Sequence, residues 1–282
     1  MPGAKDKMTD SRSDRWAAEA KFFDDWADRE AAHLVPIDPA TLERYRVLRR
    51  RRTLVPEFSV SLAGNLKDKQ VLDLGCGDGT WSVLLARLGA YVTGLDVSPK
   101  AVELAKARAD LNEVSDRCEF VCAPVETASL RRDEFDIVWG QAFLHHLLDD
   151  LDRVLSNVIQ AARPGGRLIF VEPLNLNQSL RRLRLLIPVS MDATPDERPL
   201  ERADLDVLQR HLPELEMRQF RLVGRLDRLV PGQGYEQASW FRRFALGTMA
   251  ELDRLLLGIP VLRSMGSVVV VWGHRNTGAS SS

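Results

Sequence analysis

The chain has 282 residues, 45% of them hydrophobic and 28% charged, with 39 Lys+Arg against 40 Asp+Glu. That length allows one large domain or one domain carrying a cap, and the balanced charge offers no broad footprint for nucleic acid. No run approaches the roughly 18 apolar residues of a membrane span, and the first thirty residues lack the apolar core of a signal peptide. Three cysteines without metal-ligand spacing, Cys76, Cys118 and Cys122, argue against a disulfide framework and a structural zinc. A cytoplasmic protein is expected, and Lys106, the last lysine, excludes a Schiff-base lysine from the rest of the chain.

Residues 1–13 and 276–282 are small and polar and read as tails. Over residues 15–33, Phe22, Phe23 and Trp26 recur at helical spacing, giving an amphipathic helix. Residues 41–52 predict a second helix ending in four arginines, Arg49 to Arg52, which point all round it and suit a solvated face better than an acceptor phosphate. From residue 70 the period changes. QVLDLG is a short apolar strand, and GDGTWSVLLARLG a turn into a helix with Gly89 as its C-terminal stop.

YVTGLD is the second strand, followed by a helix with Ser98 as N-cap and Pro99 at its first position. CEFVC and FDIVWG are strands three and four. Asp149 and Asp150 are expected to cap the helix LDRVLSNVIQAA, whose apolar residues share one face. RPGGRLIFVEP is a turn and a fifth strand. This alternation means βαβ units and a parallel sheet. After Pro173 the alternation breaks: ADLDVLQRHL is a helix, LEMRQFRLVG a strand, residues 226–265 hold an apolar helical segment, and SVVVVWGHR is the last strand.

The most specific signal is residues 71–80, VLDLGCGDGT. Gly75, Gly77 and Gly79 fall where strand one turns into a helix and a ligand must approach the backbone. Asp96, at the end of strand two, is placed to accept hydrogen bonds from the two ribose hydroxyls of a nucleoside. A nicotinamide fingerprint would be G-x-G-x-x-G; the spacing here is G-x-G-x-G, which suits a nucleoside carrying an amino acid better than a dinucleotide.

On these residues, with FDIVWGQAFLHHL and RPGGRLIFVEP, the sequence over about 60–175 resembles the class I S-adenosylmethionine-dependent methyltransferases, in the broad group related to quinone and natural-product enzymes. The resemblance implies an α/β, Rossmann-like, seven-stranded mixed sheet with its last strand antiparallel, extended by N-terminal helices and helical cap insertions. It divides the chain into N-terminal lid helices (1–60), a cofactor-binding core (61–175) and a third part (176–282) holding the cap and strands six and seven. The implied cofactor is S-adenosylmethionine. Gly75, Cys76 and Gly77 are expected to line its methionine part, with Asp73 near the amino group. Asp96 should hold the ribose and Val97 pack on the adenine. Ala123, Pro124 and Val125 should border the adenine edge, where relatives often carry a polar residue, so that contact falls to backbone groups or to Glu126. Gly140 and Gln141 should border the sulfonium, which loses its charge as the methyl leaves and so favours carbonyl dipoles and apolar walls.

Methyl transfer is an in-line displacement governed by positioning. A hydroxyl acceptor adds a need for proton removal, for which His145 and His146 are candidates, His146 being the preferred one. Glu172, at the end of strand five, could orient a histidine; packing or capping is the competing role for the pair. Phe22, Phe23 and Trp26 either close over the cofactor and acceptor or only cover the sheet. The cap segment, with Trp240, Phe241, Phe244, Leu246, Met249, Leu252 and Leu255 to Leu257, suggests a closed apolar acceptor pocket, with simple core burial as the alternative. The expected function is O-methylation of a small apolar metabolite in secondary metabolism. C-methylation of a quinone-like or polyketide ring, N-methylation and a non-catalytic S-adenosylmethionine-binding protein are the alternatives. No metal is implied, and the small-molecule acceptor is the one partner; monomer and homodimer both stay open.

Overall fold

The computed structural model describes residues 4–46, 54–177, 198–223 and 239–277; the arginine run at 49–52 and parts of the cap lie outside them. Three helices precede the sheet: α1 (Ala4–Ala31), α2 (Pro39–Arg46) and α3 (Val55–Ala63). The helix α1 starts well before the predicted residue 15. The helix α3 had no sequence reading; it is nine residues in which Glu57, Ser59 and Ser61 interrupt the apolar ones, too short for a helical period to show. Arg44 of α2 reaches the buried Glu57 of α3 at 2.7 Å and ties the two together.

The core then alternates β1 (Gln70–Leu74), α4 (Thr80–Arg87), β2 (Tyr91–Asp96), α5 (Pro99–Leu111), β3 (Cys118–Cys122), β4 (Phe135–Gln141), α6 (Leu151–Ala161) and β5 (Ala162–Pro173). Helix α7 (Arg202–His211), β6 (Glu216–Phe220), α8 (Trp240–Leu256) and β7 (Val268–His274) complete it. The seven strands run in the order β3-β2-β1-β4-β5-β7-β6. Strands β1 to β5 pair in parallel, whereas β7 runs antiparallel to both β5 and β6. The seven-stranded mixed sheet with its last strand reversed is therefore as expected.

Alternate residues of each central strand feed opposite cores. Val71, Ile137, Trp139 and Ile169 face α3, α4 and α5, while Leu72, Val138, Leu168 and Phe170 face α6 and α7. With both faces covered, these strands read as continuous apolar runs. Strand β5 begins at Ala162 rather than after the RPGG turn: Phe135 pairs with Ala162 but Ile137 with Arg167, so the turn is a bulge on the strand. Ser98 caps α5 as predicted, its Oγ accepting from Ala101 N at 3.0 Å. Asp150 occupies the N-cap position of α6 without a side-chain capping bond, which corrects the expected role; its carboxylate lies 3.7 Å from Arg15 of α1 instead.

Candidate functional site

The strand order reverses between β1 and β4, opening a crevice at their carboxyl ends, where ligands of open α/β sheets bind. The glycine loop lies there. Gly75 N and Cys76 N donate to Leu95 O at 2.8 and 3.1 Å, and Gly77 N donates to Asp96 Oδ2 at 2.8 Å. Gly75 and Gly77 both have positive φ, +64° and +51°, which a side chain would strain. A Cβ on Gly77 would meet nothing closer than Trp26, 3.8 Å away, so that residue is bare for the sake of the cavity.

The cavity in front of the loop has a volume of ≈ 290 Å³. Its floor is Gly75, Gly77, Asp96 and Val97, and one side is Ala123, Pro124, Val125 and Glu126. The other side is Gln141, Phe143, His145 and His146, and the roof is Trp16, Glu19, Phe23 and Trp26 of α1. Among the expected cofactor residues, Asp73, Cys76 and Gly140 do not line it. Asp73 stands behind the loop, accepting from Ser82 Oγ at 2.6 Å, and burial pushes its carboxyl up to about 7. Cys76 is buried against Gly94, where burial raises its thiol well above the ordinary range. Gly140 makes room for Phe170, whose ring would lie 2.7 Å from an added Cβ.

Asp96 is raised by burial, against the pull of backbone N–H donors from Ser98 and Gly77. Gly77 N donates to its Oδ2 and Ser98 N to its Oδ1, at 2.8 and 2.9 Å, and the residue lies on the floor of the cavity. Gln141 Oε1 is buried with no hydrogen-bond partner among the described residues, on the wall of the same cavity. An orphaned buried carbonyl dipole costs free energy unless a ligand meets it. Hydroxyl acceptors at Asp96, apolar walls at Val97 and Val125 and a loop without side chains fit a nucleoside carrying an amino-acid arm.

The histidines sit in a 3-10 turn, Leu144–His146, after β4. Glu172, 1% exposed, holds that turn: its Oε1 accepts from Phe143 N at 2.9 Å and Leu144 N at 2.8 Å, and its Oε2 lies 2.9 Å from His145 Nδ1. The ring of His146 lies 4.2 Å from that of His145 and 5.6 Å from Phe23, with Glu19 Oε1 at 3.8 Å from its Nδ1. Burial also raises the Glu19 carboxyl. Among the described residues no cluster of His, Cys, Asp and Glu could hold a metal.

The roof is latched at both ends. Arg15 and Trp16 both donate to Glu126 Oε1, the indole at 2.9 Å. Asp24 accepts from Ser98 Oγ at 2.6 Å and Lys100 N at 3.1 Å. Trp16 and Glu19 were not singled out from sequence, although with Phe23 and Trp26 they form one helical stripe at i, i+3, i+7 and i+10. The cap expectation is corrected: Trp240, Phe241 and Phe244 neither line the cavity nor join the core, being 79%, 64% and 68% exposed.

Residues 72–170 match the family described as Methyltransferase domain. Over 105 residues the chain is 36% identical to a ubiquinone biosynthesis O-methyltransferase of Coxiella burnetii, covering 37% of this chain and 44% of that one. Over 102 residues it is 40% identical to the mitochondrial ubiquinone biosynthesis O-methyltransferase of Schizosaccharomyces pombe, covering 36% of each. The chain thus spans less than half the length of these curated relatives. In fold it is similar to the geranyl diphosphate C-methyltransferase of Streptomyces coelicolor, with TM-score 0.54 and 15% identity over 86% of this chain and 90% of that one. Glycine loop, strand order and matched segment coincide on one stretch: residues 72–170, which carry the loop and the parallel half of the sheet, match a methyltransferase domain.

Proposed function

We propose that the chain is an S-adenosylmethionine-dependent O-methyltransferase acting on a small, largely apolar metabolite, with His145 as general base and Glu172 orienting it. The observation that carries this reading is His145 on the wall of the glycine-loop cavity, backed by the buried Glu172. The likeness to O-methyltransferases over the matched segment supports oxygen as the methylated atom. When bound, the cofactor supplies an electrophilic methyl on a sulfonium sulfur, which leaves the protein to align an acceptor and remove its proton.

Asp96 accepts the ribose hydroxyls, Gln141 borders the cationic arm, and Val97, Pro124 and Val125 flank the adenine. Glu126 is engaged by α1, so the adenine edge falls to backbone groups. Glu172 accepts the Nδ1–H of His145 and leaves Nε2 as the basic nitrogen that takes the acceptor's proton. This shifts the base from His146, the sequence preference, to His145. His146, tilted against His145 and edge-on to Phe23, with Glu19 beside its Nδ1, positions the acceptor. Phe23, Trp26, Phe143 and Leu147 give that acceptor apolar walls.

The test is methyl transfer from labelled S-adenosylmethionine to catechols and phenols bearing apolar tails, by wild type and His145→Ala. The expected loss is about 10²–10⁴-fold in kcat, with the acidic limb of the pH profile gone. An unchanged kcat and profile would sink the His145 assignment. Titration calorimetry with S-adenosylhomocysteine should show binding that Asp96→Ala abolishes; no binding to wild type removes the methyltransferase reading.

A further inference from the structure

Helix α8 carries its apolar residues on the outside. At 100° per residue, Trp240, Phe241, Phe244, Leu252 and Leu255 fall within about 120° of its circumference, while the opposite face holds the buried Ala250 and Asp253. Leu255 is 59% exposed, and Ile259 and Val261 extend the apolar surface past the helix end. Isolated exposed apolar residues are ordinary, but two clusters on one face are not: Trp240, Phe241 and Phe244 at the start of the helix and Leu252 and Leu255 near its end, with the exposed Thr248 and Glu251 between them. The neighbouring surface is basic. A wide groove between α8 and the β6 edge of the sheet presents Arg202, Arg218, Arg254 and Arg263 around Phe58, Leu257 and Trp272.

Arg218 stacks over Phe58 and Phe220, at 4.8 and 4.9 Å, and is lowered first by burial and then by Arg254. Among the described residues at this surface, Glu251 pairs with Arg254 at 2.8 Å and Glu216 accepts from Trp272 Nε1. Asp253 is turned inward to accept from Val223 N at 2.6 Å. Like charges are therefore gathered beside an aromatic stripe, the pattern of a helix lying in a lipid interface.

We propose that α8 and the arginine groove dock the protein on an anionic phospholipid surface, the aromatic stripe entering the headgroup boundary and the arginines meeting lipid phosphates. The docking is peripheral, since among the described residues no helix is long and apolar enough to cross a membrane. A two-fold contact between copies centred on Thr248 fits less well, because it would set Arg254 against arginine at 242–243. Strand β6 runs parallel to β5, and Val223, just past its carboxyl end, bonds α8, so the stripe lies on the rim of the sheet that also holds the glycine-loop cavity. The surface stands independently of the reaction proposed above.

The test is co-sedimentation of the full chain with phosphatidylcholine vesicles, with and without one-third phosphatidylglycerol. Salt-sensitive binding to the anionic vesicles alone is expected. The double variant Trp240→Ser/Phe244→Ser should bind at least tenfold more weakly, and Arg254→Gln and Arg263→Gln about fivefold more weakly each. Thermal midpoints should stay at the wild-type value, since all four side chains are on the surface. Absence of binding to anionic vesicles at low salt overturns the proposal, as does equal binding by the aromatic variant. So does a wild-type dimer that Trp240→Ser/Phe244→Ser dissociates. Complete competition by soluble glycerol phosphate would identify a small-molecule anion site and overturn it as well.

Discussion

Replacing Asp73 by Asn should flatten the dependence of stability on pH. The carboxyl of Asp73 is fully buried behind the glycine loop, and desolvation lifts it from 3.8 to about 7, with Asp96 and Asp78 adding to the rise and Ser82 opposing it. The folded protein therefore keeps a proton that the unfolded chain releases near pH 4. Stability falls as pH rises between those two values and is level above the higher one. Three pH units at about 1.36 kcal/mol each set a ceiling of roughly 4 kcal/mol, more than half of it between pH 5 and pH 8. Asn keeps an oxygen for the Ser82 hydroxyl but adds an amide N–H₂ that costs about 1–3 kcal/mol if unpaired, at every pH alike. The slope, not the absolute stability, is the signal. Urea unfolding of ligand-free wild type and Asp73→Asn across pH 5 to 8 should show their difference moving toward the variant by about 2–3 kcal/mol. A difference that stays constant, or one that moves toward wild type, refutes the buried-carboxylate account.

Glu172→Gln leaves one oxygen for the backbone donors of the 3-10 turn and points an amide N–H₂ at His145 Nδ1, forcing the other tautomer. The expected fall in kcat is about a hundredfold or more with KM for the acceptor nearly unchanged, read by steady-state kinetics. Gly79→Ala should cost about 2–4 kcal/mol in chemical denaturation. Its φ is +76°, and the added Cβ would stand 2.7 Å from the Ala105 side chain and 2.9 Å from its backbone. Asp24→Ala removes the acceptor of Ser98 Oγ and Lys100 N, and at about 1 kcal/mol should raise the open population of α1 about fivefold. Limited proteolysis within residues 13–31 should quicken accordingly; an unchanged rate would show that the Glu126 latch suffices.

Local patterns settled much of this protein before any tertiary contact was known. Short apolar strands spaced by helices specify a parallel sheet because both faces must be covered, and Gly75, Gly77 and Asp96 mark the crevice because the backbone there must stay bare. Other features depend on strands that meet only after folding. Glu172 reaches His145 because β4 and β5 pair in register, Gly140 beside Phe170 and Gln141 beside Val171, which sets the residue after Val171 against the turn that follows β4. The roof is likewise tertiary: the stripe from Trp16 to Trp26 shows an apolar face but not that Glu126 and Ser98 would hold it across the cavity. The aromatic residues of α8 have the periodicity of a buried face, yet folding left them outside. Periodicity reports that a face is apolar, whereas only the packed structure decides what covers it, because burial is a property of the neighbours and not of the helix.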